Sequence, residues 1–284
     1  MIRILYMSDL HLEMEQWRLP VPGWPAFLAR HRAVAAHPAR GPMLDGFAPV
    51  DLVVLAGDIH NGFRGVVYAD QVAKYFGAPV VMVAGNHEFY HHATNVLLPA
   101  LREASHKTGG RVTFLEDADA TYTIRGRRLH VLGCTLWTDY ALLGNPDAAM
   151  RHAGQRMNDH VFIEQDGAKF TPANALARHR GSVIWLRTTL AALRTSDPDC
   201  DVLIVTHHAP SGAVLGERTG PIAPAYGSDL LAAFAPFRPA GWIHGHTHFR
   251  HDSVSEGVRL VSAPRGYVAY EEAALRFRPG ILEI

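Results

Sequence analysis

Cysteine is almost absent from this chain of 284 residues, which has two, Cys134 and Cys200. Two thiols in no metal-type spacing make neither a disulfide framework nor a zinc finger, so both are expected to pack as core thiols in a reducing compartment. Net charge is missing as well, because 27 basic and 27 acidic side chains cancel. A chain without a net field has no general attraction for a phosphate backbone or an anionic bilayer, which argues against a nucleic-acid binder and an acidic solvating tail. Long hydrophobic runs are lacking too. The strongest, Val50 to Gly57 and Pro79 to Gly85, fall far short of the roughly 18 residues a membrane span needs. Before Asp9 there is one positive charge and too short an apolar stretch for a signal peptide. The expectation is a cytoplasmic protein with no membrane partner.

What the chain does have is a 48% hydrophobic content, ample for a well-buried core, and 18 histidines. Short apolar or β-branched runs alternate with longer amphipathic segments, the pattern of an α/β domain. Strands are predicted at Ile2–Met7, Asp51–Ala56, Pro79–Ala84, Arg111–Leu115, Thr121–Ile124, Arg128–Gly133, Asp201–Thr206, Gly241–His244 and Arg259–Ser262. Several are continuous apolar runs, as in sheets covered on both faces. Helices are predicted at Pro25–Ala36, Gly65–Phe76, Glu88–Ser105, Ser182–Leu193 and Ser228–Phe234. Residues 1–284 read as a single domain with an irregular insertion around 138–181, where no strand pattern appears. That insertion and the Pro- and Gly-rich loop from Ala209 to Gly227 are candidate pocket walls.

The histidines gather where strands end. Four predicted strands run directly into Asp9-Leu10-His11, Gly57-Asp58, Gly85-Asn86-His87-Glu88 and Thr206-His207-His208, and Gly245-His246-Thr247-His248 follows Trp242-Ile243-His244. In open α/β sheets ligands bind beyond the carboxyl ends of strands, so five segments spread along the chain are expected to meet in one crevice. Extended residues two apart point to one side, which would present Asp9 with His11 and His246 with His248. Two carboxylates, an asparagine carbonyl and four imidazoles make a donor set for manganese, iron, zinc or nickel rather than calcium. Seven donors exceed one closed zinc site and suit two divalent transition-metal ions roughly 3.5–4 Å apart.

At these residues the sequence resembles the calcineurin-like metallophosphoesterase superfamily, whose ordered motifs are Asp-X-His, Gly-Asp, Gly-Asn-His-(Asp/Glu), a histidine after a late strand, and Gly-His-X-His. The resemblance runs from Asp9 to His248 and implies a four-layer α/β/β/α sandwich. Carried over, it implies that Asp9, His11 and His248 hold one metal and that Asn86, His207 and His246 hold the other, with Asp58 bridging. His207 is preferred to His208 because the family ligand comes first after the strand. Two divalent ions against two carboxylates and one hydroxide leave about +1 at the centre, which attracts an anionic phosphoryl group, and the bridging water becomes a hydroxide fit for in-line attack. His87 is placed to protonate the departing alkoxide, oriented by Glu88.

His208, Asn61 and Arg265 are the candidate substrate-binding residues, with Trp137, Asp139, Asn158 and Asp159 as further candidates in the insertion. The protein phosphatase branch typically has Gly-Asp-X-Val-Asp-Arg-Gly, whereas here Asp58 is followed by Ile59-His60-Asn61-Gly62. The layout looks more like the bacterial branch that includes cyclic-nucleotide and glycerophosphodiester phosphodiesterases. The function expected is hydrolysis of a small-molecule phosphodiester. A phosphomonoesterase with the same site is one alternative, and a non-catalytic metal-binding scaffold is the other.

Overall fold

The computed structural model describes residues 1–15, 33–37, 41–44 and 49–284. The continuous apolar runs form two mixed sheets. The first has the spatial order Gly280–Glu283, Arg3–Met7, Leu52–Ala56, Val80–Val83 and Val112–Leu115, parallel except for its antiparallel edge strand Gly280–Glu283. The second has the order His251–Ser255, Val258–Ser262, Gly241–Ile243, Asp201–Thr206, Arg127–Cys134 and Ala118–Ile124, with an antiparallel strand at each edge.

Side chains alternate across a strand, and here both sets are buried. Ile4, Val54, Val81, Leu129, Leu203 and Val261 fill the space between the sheets. Their neighbours Leu5, Val53, Leu55 and Met82 pack outward with residues of the helices Arg64–Phe76 and Thr94–His106. On the far side Leu132, Val202, Ile204 and Trp242 pack with Leu186 and Leu190 of the helix Pro172–Ser196. The result is a four-layer α/β/β/α sandwich, and burial on both faces explains why the strands read as unbroken apolar runs.

All nine predicted strands are present. The two edge strands missed have little apolar signal: His251–Ser255 is largely exposed and polar, and Gly280–Glu283 is a four-residue run after a proline. The predicted helix Glu88–Ser105 is broken into a short 3-10 turn, His87–Phe89, and the helix Thr94–His106. The break arises because the backbone between them bonds elsewhere, the His91 amide to the Phe162 carbonyl and the Glu164 amide to the His92 carbonyl. The helix expected over Ser228–Phe234 shrinks to Leu231–Phe234, since the Ser228 hydroxyl accepts from the Asp139 amide and Asp229 accepts from the Gly212 amide. The helix Pro172–Ser196 begins ten residues before its predicted start, capped by Thr171 and Asn174 bonding each other's backbone. Of the predicted helix Pro25–Ala36, residues 25–32 lie outside the described residues, and Ala33–His37 is instead a strand paired with Gly41–Leu44. Segment 138–181 contains the helices Pro146–Arg156 and Asp159–Phe162 and a two-stranded hairpin. Among the described residues no helix is long and apolar enough to cross a membrane.

One core group should give stability a pH dependence. The buried Glu116 carboxylate accepts hydrogen bonds from the Thr135 amide (2.9 Å) and hydroxyl (2.7 Å). Burial and the charge of Asp117 push it up from 4.5 to about 7. The folded state therefore holds this proton more tightly than the unfolded chain, so its contribution is full below pH 4.5 and is lost as pH rises toward 7. Glu116→Gln, neutral at every pH, is expected to flatten that decline. Thermal melts should show the variant above the wild type at pH 8, and equal pH slopes would contradict the assignment.

Candidate metal centre

The parallel strands deliver their polar clusters to one crevice, but not by extended backbone. Asp9, His11, Asp58, His246 and His248 all have positive φ, at 51°, 46°, 55°, 67° and 54°. The expectation that Asp9/His11 and His246/His248 converge as extended neighbours is thus corrected. Each pair straddles a left-handed turn, with Leu10 buried between the first two. Left-handed non-glycine residues cost about 1–3 kcal/mol each and persist where surroundings over-determine them. Here the loops bind one another: the Asp9 amide donates to the Gly57 carbonyl, His11 to Asp58, Gly245 to His207, and Gly266 to Asp9.

All seven predicted ligands meet in this crevice. Asp9, His11 and His248 each bring one donor atom within 4.8 Å of the other two, and so do Asp58, His207 and His246. Asp58 lies between, its Oδ2 at 3.3 Å from His207 Nε2 and 3.8 Å from His11 Nε2. The Asn86 Oδ1 is 3.0 Å from His207 Nε2. Each carboxylate also binds a backbone amide. Asp58 Oδ1 accepts from the His87 amide at 2.8 Å, leaving Oδ2 for the crevice, whereas Asp9 Oδ1 accepts from the His246 amide at 2.9 Å and itself faces His248 Nε2 at 3.5 Å.

Divalent cations fit this arrangement on two grounds. The Asp9 Oδ2 and His246 Nε2 atoms are buried without any hydrogen-bond partner, an arrangement that is costly unless another ligand satisfies them. The imidazoles are also held with Nε2 facing inward. His207 Nδ1 donates to the Ala56 carbonyl (2.9 Å), while His248 Nδ1 faces Glu271 (2.7 Å) and His11 Nδ1 faces Glu13 (3.2 Å). Burial disfavours the charged forms of His207 and His248. The carboxylates of Asp58 and Asp9 around His207, and of Asp9 and Glu271 around His248, outweigh it and raise them to about 10 and about 9. A field that retains protons so strongly is one that attracts cations. Two clusters of this kind, with Asp58 of one facing His11 of the other, are placed to chelate two divalent ions.

The remaining predicted residues take varied positions. His87 lines the pocket above the clusters, its Nδ1 at 3.0 Å from Glu13 and its Nε2 at 3.1 Å from the Tyr267 hydroxyl. Glu88 does not orient it. That carboxylate turns inward and accepts from the amides of Asp58, Ile59 and Gly85, clamping the two loops together. His208 is buried behind His246, with its Nδ1 at 3.2 Å from the Thr135 carbonyl, and does not line the pocket. Asn61 donates to the His87 carbonyl, and Arg265 donates to the Leu10 carbonyl. Of the insertion candidates, Asn158 lines the pocket, Asp159 accepts from Asn86 Nδ2 (2.8 Å) and Tyr90, Trp137 is core, and Asp139 binds its own turn. The sequence reading missed Glu13, Glu271, Tyr90 and Tyr267. Glu13 carries a signal, two residues beyond His11, whereas Glu271 and Tyr267 arrive from the far end of the chain.

A further donor group, His130, Asp197 and Cys200, lies near the opposite ends of the strands. There Arg128 already sits 2.9 Å from Asp197 and Arg194 donates to the Cys200 sulfur, so cations are supplied by the chain.

Backbone clearance sets a strict test. A Cβ on Gly85 would overlap Asp58 Oδ1 and stand 2.7 Å from His207 Cε1. Gly85→Ala should therefore displace both side chains at an overpacking cost of about 1–3 kcal/mol, which a domain of this size survives. Elemental analysis is expected to find the bound metal reduced while circular dichroism remains folded. Full metal content would show that the crevice tolerates the shift.

No curated protein sequence matches the chain. Among solved structures, the phosphopantetheinyl hydrolase of Mycobacterium tuberculosis is similar with a TM-score of 0.67 at 18% identity, over 93% of this chain and 89% of that one. The protein TT1561 of Thermus thermophilus is similar with a TM-score of 0.50 at 12% identity, over 93% and 89% of the two chains. At these identities the likeness is one of fold. The family model for calcineurin-like phosphoesterases matches residues 2–250, a span that contains all seven donors and every loop that presents them, and the chain belongs to that family of metal-dependent hydrolases.

Proposed function

We propose that the chain hydrolyses a small-molecule phosphodiester. The observation that carries the reading is that His87 opens onto the same pocket as two donor clusters joined at Asp58. Asp9, His11 and His248, and Asp58, Asn86, His207 and His246, would hold two divalent ions, which would supply Lewis-acid stabilisation of phosphoryl charge and a nucleophile ionised near neutral pH.

The protein's own groups handle the leaving alcohol. Burial works against a charged His87, but the Asp58, Glu13 and Asp159 carboxylates outweigh it and raise its pKa, favouring the protonated form. Glu13 faces Nδ1 and so directs Nε2 into the pocket, where the proton can pass to the departing alkoxide. Glu13 also faces His11, so one carboxylate aligns the proton donor with the metal cluster.

Preference for a diester is supported by what surrounds the phosphoryl position. Arg265 is turned onto the Leu10 carbonyl, and Tyr226 lies between Arg218 and His246. Among the described residues no lysine lines this pocket, and the two arginines that do, Arg156 and Arg218, make no hydrogen bond to a donor side chain of either cluster. A singly charged diester needs less side-chain compensation than a doubly charged monoester.

Protein stripped of metal and reloaded with manganese is expected to hydrolyse bis-p-nitrophenyl phosphate in preference to p-nitrophenyl phosphate, with Asp58→Ala inactive. Preference for the monoester would reassign the enzyme as a phosphatase, and metal binding without turnover of either would favour a scaffold. His87→Gln should slow alkyl esters by about 10²–10⁴-fold, the usual worth of a general acid, and p-nitrophenyl esters much less. Equal losses on both would remove His87 from the proton-donor role.

A further inference from the structure

The pocket has a cationic wall that phosphoester cleavage leaves unused. Arg218 and Arg156 both line it, from the loop after His208 and from the end of the helix Pro146–Arg156. The Arg218 guanidinium stands 5.0 Å from the centre of the Tyr226 ring, and its Nε donates a long 3.4 Å hydrogen bond to the Thr247 carbonyl. The carboxylate whose field it reaches, Glu271, is already engaged by His248 at 2.7 Å. Neither arginine has an ion-pair partner among the described residues.

Tyr226 connects this wall to the metal cluster. Tyr226 packs against His246 with ring centres 4.8 Å apart and 31° between planes. The Tyr226 ring thus contacts both the Arg218 guanidinium and an imidazole of the metal cluster. Stacking occupies the face of a guanidinium and leaves its N–H edge for a bidentate oxyanion. Tyr226 and Met157 add carbon surface to the same pocket.

We propose that Arg218 and Arg156 form a second anion subsite, and that the substrate carries a further phosphate or carboxylate joined to the cleaved phosphoester by a short carbon spacer. The inference rests on the phosphoesterase reading above. Phosphate and carboxylate present the same paired oxygens to a guanidinium, so the ligand series below tells them apart.

The test is calorimetric binding to manganese-loaded full-length protein of three ligands: hexyl phosphate, 6-(phosphonooxy)hexanoate and 1,6-hexanediol bisphosphate. A charged hydrogen-bonded contact predicts that at least one doubly anionic ligand binds about tenfold or more tightly than hexyl phosphate. The tighter of the two identifies the second group as carboxylate or phosphate. Arg218→Met should abolish the preference and Arg218→Lys should keep part of it, with metal content measured on each variant. Equal binding of all three ligands by the wild type overturns the inference alone, and that comparison stands even if a variant fails to fold. A preference that survives in Arg218→Met also overturns it. If none of the three binds, the phosphoester reading falls and this inference falls with it.

Discussion

The crevice depends on carboxylates that bind a backbone amide and face the donor imidazoles at once. Asp58 gives one oxygen to the His87 amide and turns the other toward His207 and His11, and Asp9 accepts from the His246 amide through the same oxygen that faces His248. A carboxylate used in this way fixes the distance between two loops and still keeps a ligand atom aimed inward. Without the backbone contacts, four imidazoles and two carboxylates would be free to pair with one another. Without the inward oxygens, the loops would be joined but the crevice would have no anionic centre.

The same device recurs one layer out. Glu88 joins the Asp58 and Gly85 loops through their amides, and Glu13 and Glu271 face the outer nitrogens of His11 and His248. These contacts offset the strain of five left-handed residues and set which ring nitrogen faces the clusters. The close approach they enforce leaves no room for a side chain at Gly85. Packing of the pocket walls follows from it, since Asp159 of segment 138–181 is tied to Asn86 and Tyr226 leans on His246.

The legible part of this protein was what local chemistry announces. Runs such as Leu52–Ala56 and Asp201–Thr206 declare themselves as strands because both of their faces are buried. Asp9, Asp58, Asn86 and His207 were readable as donors because each follows such a run directly. Glu88 was misread because adjacency to His87 says nothing of which way a carboxylate points. In the fold its oxygens are claimed by three amides brought from another strand. The strand His251–Ser255 was missed for the opposite reason: a polar edge strand gains its order from pairing with Val258–Ser262, not from its own composition.

By itself, then, the sequence determined the class of fold, the order of the polar clusters and the donor types, because these depend on burial period and residue chemistry. Tertiary structure decided the rest. It placed Tyr267 on His87, Glu271 on His248 and Arg218 one ring from His246, contacts between residues far apart in the chain that no local pattern encodes. It also decided that the paired donors converge through left-handed turns, since only hydrogen bonds between separate loops hold non-glycine residues there.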